Sequence, residues 1–396
     1  MNCRSTGKPP GRFESNVRMQ KRVIAFVINS IGFGGAERAL HNILAGIGNR
    51  VDRYEVHLIL LDDVPEAREM PSYVVKHVLD GRGRLPRSLF LLIGKLRRLR
   101  PALVVSLLVR ANVCAAISAR LLSIPSILCE RMHLGSHLDG KHRGLRRVLA
   151  KAMPRLFYRL ATRVLGVSSG VTSNLVTAFG VDPARAGTIY NPYDLDRIAA
   201  DAARPPEFHL PDQFILGIGR LTPAKNFAQL IEAYLEADLP YPLVILGDGS
   251  ERRSLEALIA RHAAGDRILL PGYARNPFPI MAKAHFYVSA SLNEGFPNAM
   301  AEAMALGTPV VVTDCPSGPA EILASVSKLN PSEPVLAEFG ILVPERSVAA
   351  LAEGMRLMAD PRRRDHYSRQ ARRRILDFRS EKIAEDYWGL FDRLAE

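Results

Sequence analysis

The stretch ASLNEGFPNAMAEAMALGTP, residues 290–309, decides the reading of this chain. An apolar run before it, HFYVS at 285–289, reads as a buried strand, and VVVT at 310–313 reads as another. A Gly-Phe-Pro turn follows Glu294. Small residues after it suit a helix that carries Glu302, and Gly307-Thr308-Pro309 stops that helix. The unit is strand, loop, helix, stop, strand. In an open α/β sheet, ligands bind where strand C-termini meet helix N-termini. A carboxylate at that mouth repels phosphate but accepts hydrogen bonds from sugar hydroxyls, while the backbone N–H groups behind it face an anion. Eight residues of helix turn about 80° past two full turns and rise about 12 Å. Glu302 therefore reaches a different part of one long ligand. The same two residues also read as a helix cap and a surface glutamate.

Working outward, both halves alternate strand and helix. RVIAFVI (22–28), EVHLILL (55–61), ALVVSLL (102–108), SILCE (126–130) and RVLGVS (163–168) read as strands of the first half. Helices are expected at 36–45 and 88–100. FILGIGR (214–220), PLVILGD (242–248), RILLPG (267–272), HFYVSAS (285–291) and PVVVT (309–313) read as strands of the second. Short apolar strands between helices indicate parallel sheets covered on both faces. Residues 192–213 contain four prolines and no strand pattern, which places an interdomain linker there. Residues 364–396 read as amphipathic helix and hold the only tryptophan, Trp388.

The 396 residues carry a net charge of +13. The charge is uneven. Residues 1–200 hold 31 basic and 14 acidic residues, a balance of +17, and residues 201–396 hold 22 and 26, a balance of −4. One half attracts anionic surfaces or phosphorylated substrates. No nucleic-acid-binding motif accompanies the charge, so no nucleic-acid partner is expected. The four cysteines have no metal spacing and indicate a reducing, cytoplasmic setting. Residues 1–20 read as a disordered leader rather than a signal peptide. No apolar run nears the ~20 residues that span a bilayer. Residues 141–163 hold eight Lys and Arg and no acid, with apolar positions 145, 148, 149, 152, 153, 156, 157 and 160 on one helical face broken by Pro154. That segment reads either as a helix packed on the sheet or as a peripheral contact with an anionic membrane.

Taken together, Gly34-Gly35-Ala36-Glu37-Arg38, Gly219-Arg220 with Lys225-Asn226, Gly247-Asp248-Gly249, Glu294-Gly295-Phe296-Pro297 through Glu302, and Gly307-Thr308-Pro309 resemble a known family. They look like the retaining nucleotide-sugar glycosyltransferases of group 1, family 4. The resemblance runs through nearly the whole chain after residue 20. It implies the GT-B architecture: two facing Rossmann-like α/β domains with parallel sheets and an interdomain cleft. The expected division is 21–195 for the acceptor, a linker at 196–213, 214–375 for the nucleotide sugar, and 376–396 as a helix returning to the first domain.

The resemblance also implies roles. Arg220 and Lys225 would hold the donor diphosphate, a fork and a point charge suited to it. Glu302 would bind the ribose and Glu294 the donor sugar. The backbone of Gly295, Phe296, Pro297 and Asn298, with Gly219 and Asn226, would line the donor site. Gly34 and Gly35 would let backbone approach donor and acceptor. Glu37 and Arg38 are read as helix-starting residues without a catalytic part. His133 is a candidate near the donor sugar, with Glu130 and Arg131 beside it; a lone histidine is also often structural. Asp314, Ser317 and Gly318 are expected to line the cleft, and Glu321 to begin a helix. The implied reaction is hexosyl transfer without metal or other cofactor, with a UDP-sugar favoured as donor. The acceptor would be a saccharide, lipid-linked, in surface polysaccharide or lipopolysaccharide assembly on the inner face of the cell membrane. A non-hydrolysing sugar-nucleotide epimerase and a non-catalytic polyanion-binding protein are the alternatives.

Overall fold

The computed structural model describes residues 21–32, 34–65, 69–141 and 144–396; the expected leader at 1–20 lies outside the described residues. Two sheets of seven strands organise them. The first contains β1 (Arg22–Ile28), β2 (Tyr54–Leu60), β3 (Val74–Val78), β4 (Leu103–Leu107), β5 (Ser126–Glu130), β6 (Arg163–Gly166) and β7 (Ala186–Thr188). Its order is β3-β2-β1-β4-β5-β6-β7, parallel throughout. The second contains β8 (Ile215–Ile218), β9 (Leu243–Leu246), β10 (Ile268–Gly272), β11 (Phe286–Ser289), β12 (Val310–Thr313), β13 (Val335–Leu336) and β14 (Ile341–Val343). Its order is β10-β9-β8-β11-β12-β14-β13, and only the last pair is antiparallel.

These strands form because their residues are apolar on both faces and helices cover both. Ile24 to Ile28 are all fully buried, as are Leu243 to Ile245. In each sheet the chain runs outward, then crosses back beside its first strand. The order reverses between β1 and β4, and again between β8 and β11. Such switch points leave a crevice at the strand C-termini. The glycine loop after β1, the basic loop after β8 and the Glu294 loop after β11 therefore all open at the crevices.

The C-terminal helix Ser380–Ala395 lies against the helix Gly35–Ala45 of the first sheet. Trp388 is fully buried there and its Nε1 donates to the Ile43 carbonyl at 2.8 Å. Arg50 joins Glu385 at 2.6 Å and Asp392 at 2.8 Å. The chain enters this helix beside the connection between the sheets: Tyr193 N donates to the Phe378 carbonyl, and Ser380 N to the Tyr193 carbonyl. The stretch read as linker carries a helix of its own, Leu195–Ala202, capped by Asp194.

The basic segment departs from expectation. A helix spans Gly144–Phe157 with Pro154 inside it, but its apolar positions do not share one face. Met153, Phe157 and Leu160 pack on the core. Ala152 is exposed, as are Val148 and Leu156, at 59% and 51%. Spacing of four residues stacks these three on the outer face.

Candidate active site between the two sheets

The loop after β8 brings Lys225 to Glu294, Nζ to Oε1, at 2.5 Å. Both side chains are largely buried, Glu294 more than Lys225. The Lys225 stem lies along Gly219, and the Gly219 carbonyl abuts Gly247. Gly247 has a φ of +144°, and a Cβ there would strike that carbonyl. Arg220 stands exposed, and among the described residues no side-chain hydrogen bond or ion pair engages it. Asn226 is placed differently from the expectation. It sits in the left-handed region (φ 51°) and its amide donates to Gln229 at 2.6 Å, which turns it away from the cleft.

The loop from Glu294 to Asn298 is gripped from the opposite half. Gly295 lies against the carbonyl of Arg131, where a Cβ would not fit, and its own carbonyl accepts from the Ser168 hydroxyl at 2.8 Å. Phe296 is buried among Tyr190, Tyr193 and Phe378, with ring centroids 5.6, 6.3 and 5.3 Å away. Its ring is an anchor, so only its backbone is available to a ligand. Pro297 packs on Gly318. Asn298 begins the helix Asn298–Ala305, and its Oδ1 accepts from Asn191 Nδ2 at 2.8 Å and from the Tyr193 hydroxyl at 2.5 Å. Gly35 faces the Asn298 amide with no room for a side chain. One turn into the same helix, Glu302 is 4% exposed and forms an ion pair with Arg38 of the first half. The carboxylate raises the Arg38 pKa further, so the guanidinium stays charged.

On the first half, β5 ends at Glu130, and Arg131, Met132 and His133 follow it. Glu130 is fully buried. Its Oε1 accepts from the Arg131 N–H at 3.0 Å and its Oε2 from the Tyr158 hydroxyl at 2.8 Å. Burial outweighs these bonds and pushes its pKa up to about 7. Glu130 thus anchors the loop from below rather than facing the cleft. Arg131 donates to Asn191 Oδ1 at 2.7 Å and so joins the chain of contacts to Asn298. His133 is half-buried. Its Nδ1 accepts from the Ser136 N–H, so the Ser136 hydroxyl, 2.8 Å away, donates to it as well. Burial first, then the charge of Lys328, lowers the His133 pKa, which leaves a neutral ring with its proton on Nε2.

One further residue differs from expectation. Asp314 does not line the cleft: it is 1% exposed and accepts from the N–H groups of Leu329 and Asn330 at 2.9 and 2.6 Å. Glu321 does stand in the first turn of the helix Pro319–Ala324, but its carboxylate crosses to the first half. There it accepts from the N–H groups of Ser169 and Gly170 at 2.7 and 2.9 Å, the first two residues of the helix Ser169–Phe179. An anion at a helix N-terminus is stabilised by the unpaired N–H groups and the helix dipole.

Beside Glu302 opens a cavity of about 630 Å³ whose walls include Arg38, Arg197, Arg275, Asn276 and Phe278. Among the described residues, no group of three or more His, Cys, Asp and Glu is placed to hold a metal ion, and no helix is long and apolar enough to cross a membrane.

Comparison with known proteins places this geometry. Residues 201–374 match the family model for glycosyl transferases group 1, and residues 33–197 match that for glycosyltransferase family 4. The chain is 31% identical over 379 residues to a Campylobacter jejuni enzyme, N-acetylgalactosamine-N,N'-diacetylbacillosaminyl-diphospho-undecaprenol 4-alpha-N-acetylgalactosaminyltransferase, covering 93% of this chain and 98% of that one. The chain belongs to the group 1, family 4 glycosyltransferases. An Escherichia coli lipopolysaccharide 1,6-galactosyltransferase is 29% identical over 40% of this chain and 45% of its own. Among solved structures, Anabaena HepE in complex with UDP superposes with a TM-score of 0.69 at 19% identity, over 94% of this chain and all of that one. The likeness confirms the GT-B fold. Membership sets aside the epimerase and the non-catalytic readings.

For this glycosyltransferase the sequence singled out Lys225, Glu294, Glu302, Gly35 and Gly295, and the structure brings them together. It missed the residues that grip this segment, Arg38, Asn191, Tyr193 and Ser168, and the carboxylate of Glu321 that crosses to the helix Ser169–Phe179. Arg38 had a signal, since it lies one helical turn past Gly34-Gly35 on the same face. Asn191 and Tyr193 lie in an unremarkable loop, and nothing local marks the reach of Ser168 or Glu321 across to the other half.

The Glu321 contact predicts that Glu321→Ala speeds hydrogen exchange at the Ser169 and Gly170 amides by about 10- to 100-fold, the range expected for losing a charge-assisted bond. Unchanged exchange there would show that the carboxylate does not hold this helix. Glu130 yields a pH prediction. Its folded pKa, about 7, lies above the ordinary glutamate value of 4.5. Its contribution to stability is thus full below about pH 4.5 and is lost as pH rises through about 7, on the order of a few kcal/mol. Glu130→Gln should flatten the decline of the unfolding midpoint between pH 5 and 7.5; parallel profiles for the two proteins would contradict the assignment.

Proposed function

We infer that this glycosyltransferase moves a sugar from a UDP-sugar to a saccharide carried on a lipid, with retention at the anomeric carbon, in surface polysaccharide or lipopolysaccharide assembly. The observation that carries the reading is that one segment, residues 294–302, gripped by the opposite half, carries both Glu294, paired with Lys225, and Glu302, paired with Arg38. In this reading residues 214–375 bind the donor and residues 21–195 the acceptor, joined through 196–213, with 376–396 returning to the first domain. Glu302 takes the ribose hydroxyls and Glu294 the sugar hydroxyls. Lys225 and Arg220 meet the diphosphate, aided by the N-terminus of the helix Asn298–Ala305. The charge that develops on the leaving diphosphate is met by fixed cations, so the reaction needs no metal. His133 supplies a neutral N–H donor near the donor sugar. Closure excludes water and limits donor hydrolysis.

UDP is favoured because a solved relative of the same fold is a complex with UDP. The lipid-linked acceptor is supported by the name of the Campylobacter jejuni relative, which acts on a diphospho-undecaprenol saccharide. The outward stripe of Val148, Ala152 and Leu156, flanked by exposed Arg155 and Arg159, supports seating of this domain on an anionic leaflet at the cytoplasmic face.

The test is a thermal-shift panel of UDP, GDP and ADP and their sugars, followed by turnover. UDP compounds should stabilise the protein with or without magnesium, and Glu302→Ala should remove the shift. Lys225→Ala should lower transfer about 100- to 1,000-fold, and the product should keep the anomeric configuration of the donor. Undiminished turnover in both variants would sink the site assignment, and an inverted product would sink retention.

A further inference from the structure

We propose that Arg38 is a donor-positioning residue: it fixes the Glu302 carboxylate for the ribose hydroxyls and closes the nucleoside end of the cavity from the opposite domain. This rests on the reading of Glu302 given above and adds a residue from the other half of the molecule to the donor site.

Four observations point the same way. First, the Arg38 NH1 group is ion-paired with Glu302 Oε1, and the two residues are 264 positions apart in the chain. The Glu302 side chain is 6% exposed. A carboxylate so buried needs a fixed donor, and that donor sets the orientation of the carboxylate. Second, the Arg38 guanidinium is not saturated. Its Nε is buried with no hydrogen-bond partner. Buried donors of this kind call for a specific explanation. Third, Arg38 and Glu302 both line the 630 Å³ cavity, and that volume suits a small-molecule ligand. Fourth, the Arg38 guanidinium carbon stands 5.8 Å from the centre of the Phe278 ring, across the same cavity. The ring and the ion pair hold the guanidinium in place, and the residue arrives on the first turns of a helix whose start is pinned by Gly35 against Asn298.

A plain interdomain salt bridge and a donor-positioning residue make different predictions. A salt bridge that only favours closure raises affinity for every ligand that needs closure, by the same factor. A residue that acts through Glu302 on the ribose matters only when the ribose hydroxyls are present.

The experiment measures calorimetric affinity of UDP and of 2′,3′-dideoxy-UDP for the full chain, as wild type, Arg38→Ala, Arg38→Lys and Glu302→Gln. Melting profiles of each variant confirm that it folds. Arg38→Ala is expected to weaken UDP about ten-fold and to leave the dideoxy nucleotide within about two-fold. Glu302→Gln should show the same selectivity. Arg38→Lys should restore only part of the loss, because an ammonium is a point charge without the planar fork. Equal losses for the two nucleotides, or no loss for either, overturn this inference and leave the proposed function standing. Failure of the wild type to bind UDP at all overturns the proposed function, and this inference with it.

Discussion

The two halves of this glycosyltransferase touch where one of them carries no side chain, and the rest of the site depends on that. Gly295 meets the Arg131 carbonyl, Gly35 meets the Asn298 amide, and Gly170 meets Ser317. At each point a single methyl group would collide. The requirement is space rather than an unusual backbone angle. With glycines on the seam, backbones from opposite sheets come close enough for short side chains to bond across it. The Ser168 hydroxyl reaches the Gly295 carbonyl and also Ser317, at 3.1 Å.

Charge then crosses the seam in two places with different consequences. Glu321 sits on the N-terminus of a helix of the other half, far from the Glu294 loop in role if not in sequence. Its partners are backbone groups that cannot move away, so the contact couples the halves rather than binding a ligand. Arg38 and Glu302 both line the cavity, on walls that come from opposite halves. The local dielectric is lower there than in water, so each such contact weighs more. Lys225 and Glu294 form a third pair within one half, next to exposed Arg220. The cleft therefore holds two carboxylates already neutralised and oriented by cations. Neither carboxylate is buried as an unpaired negative charge.

Much of this was legible in the sequence. The strands from RVIAFVI to PVVVT appear close to where their apolar runs lie, because parallel strands buried on both faces leave continuous hydrophobic signals. β14, three buried residues at Ile341–Val343, was too short a run to be read as a strand, and β3, β7 and β13 carried no such signal. Each of the latter is a short edge or near-edge strand with partly exposed residues, such as Val74–Val78. Glu294, Glu302 and Lys225 were marked in the sequence by their place at a strand–helix mouth together with the family resemblance. Side-chain direction was not. Asn226 and Phe296 stand at the expected places in their loops, but Gln229 claims the first and an aromatic cluster built on Tyr190 and Phe378 claims the second. Those partners come from distant parts of the chain, as does Arg38 for Glu302. Local pattern can mark a loop as a site, whereas tertiary packing decides which of its atoms remain for a ligand.

The most direct test of this account is small-angle scattering of Gly170→Ala beside wild type, both saturated with UDP. Gly170 lies on the seam but outside the proposed donor site, so the substitution probes closure without altering a ligand contact. The account predicts that the added methyl, forced against Ser317, holds the halves apart and gives a larger radius of gyration than wild type. Superimposable scattering curves would contradict it, and would mean that the glycine seam does not set the approach of the two halves.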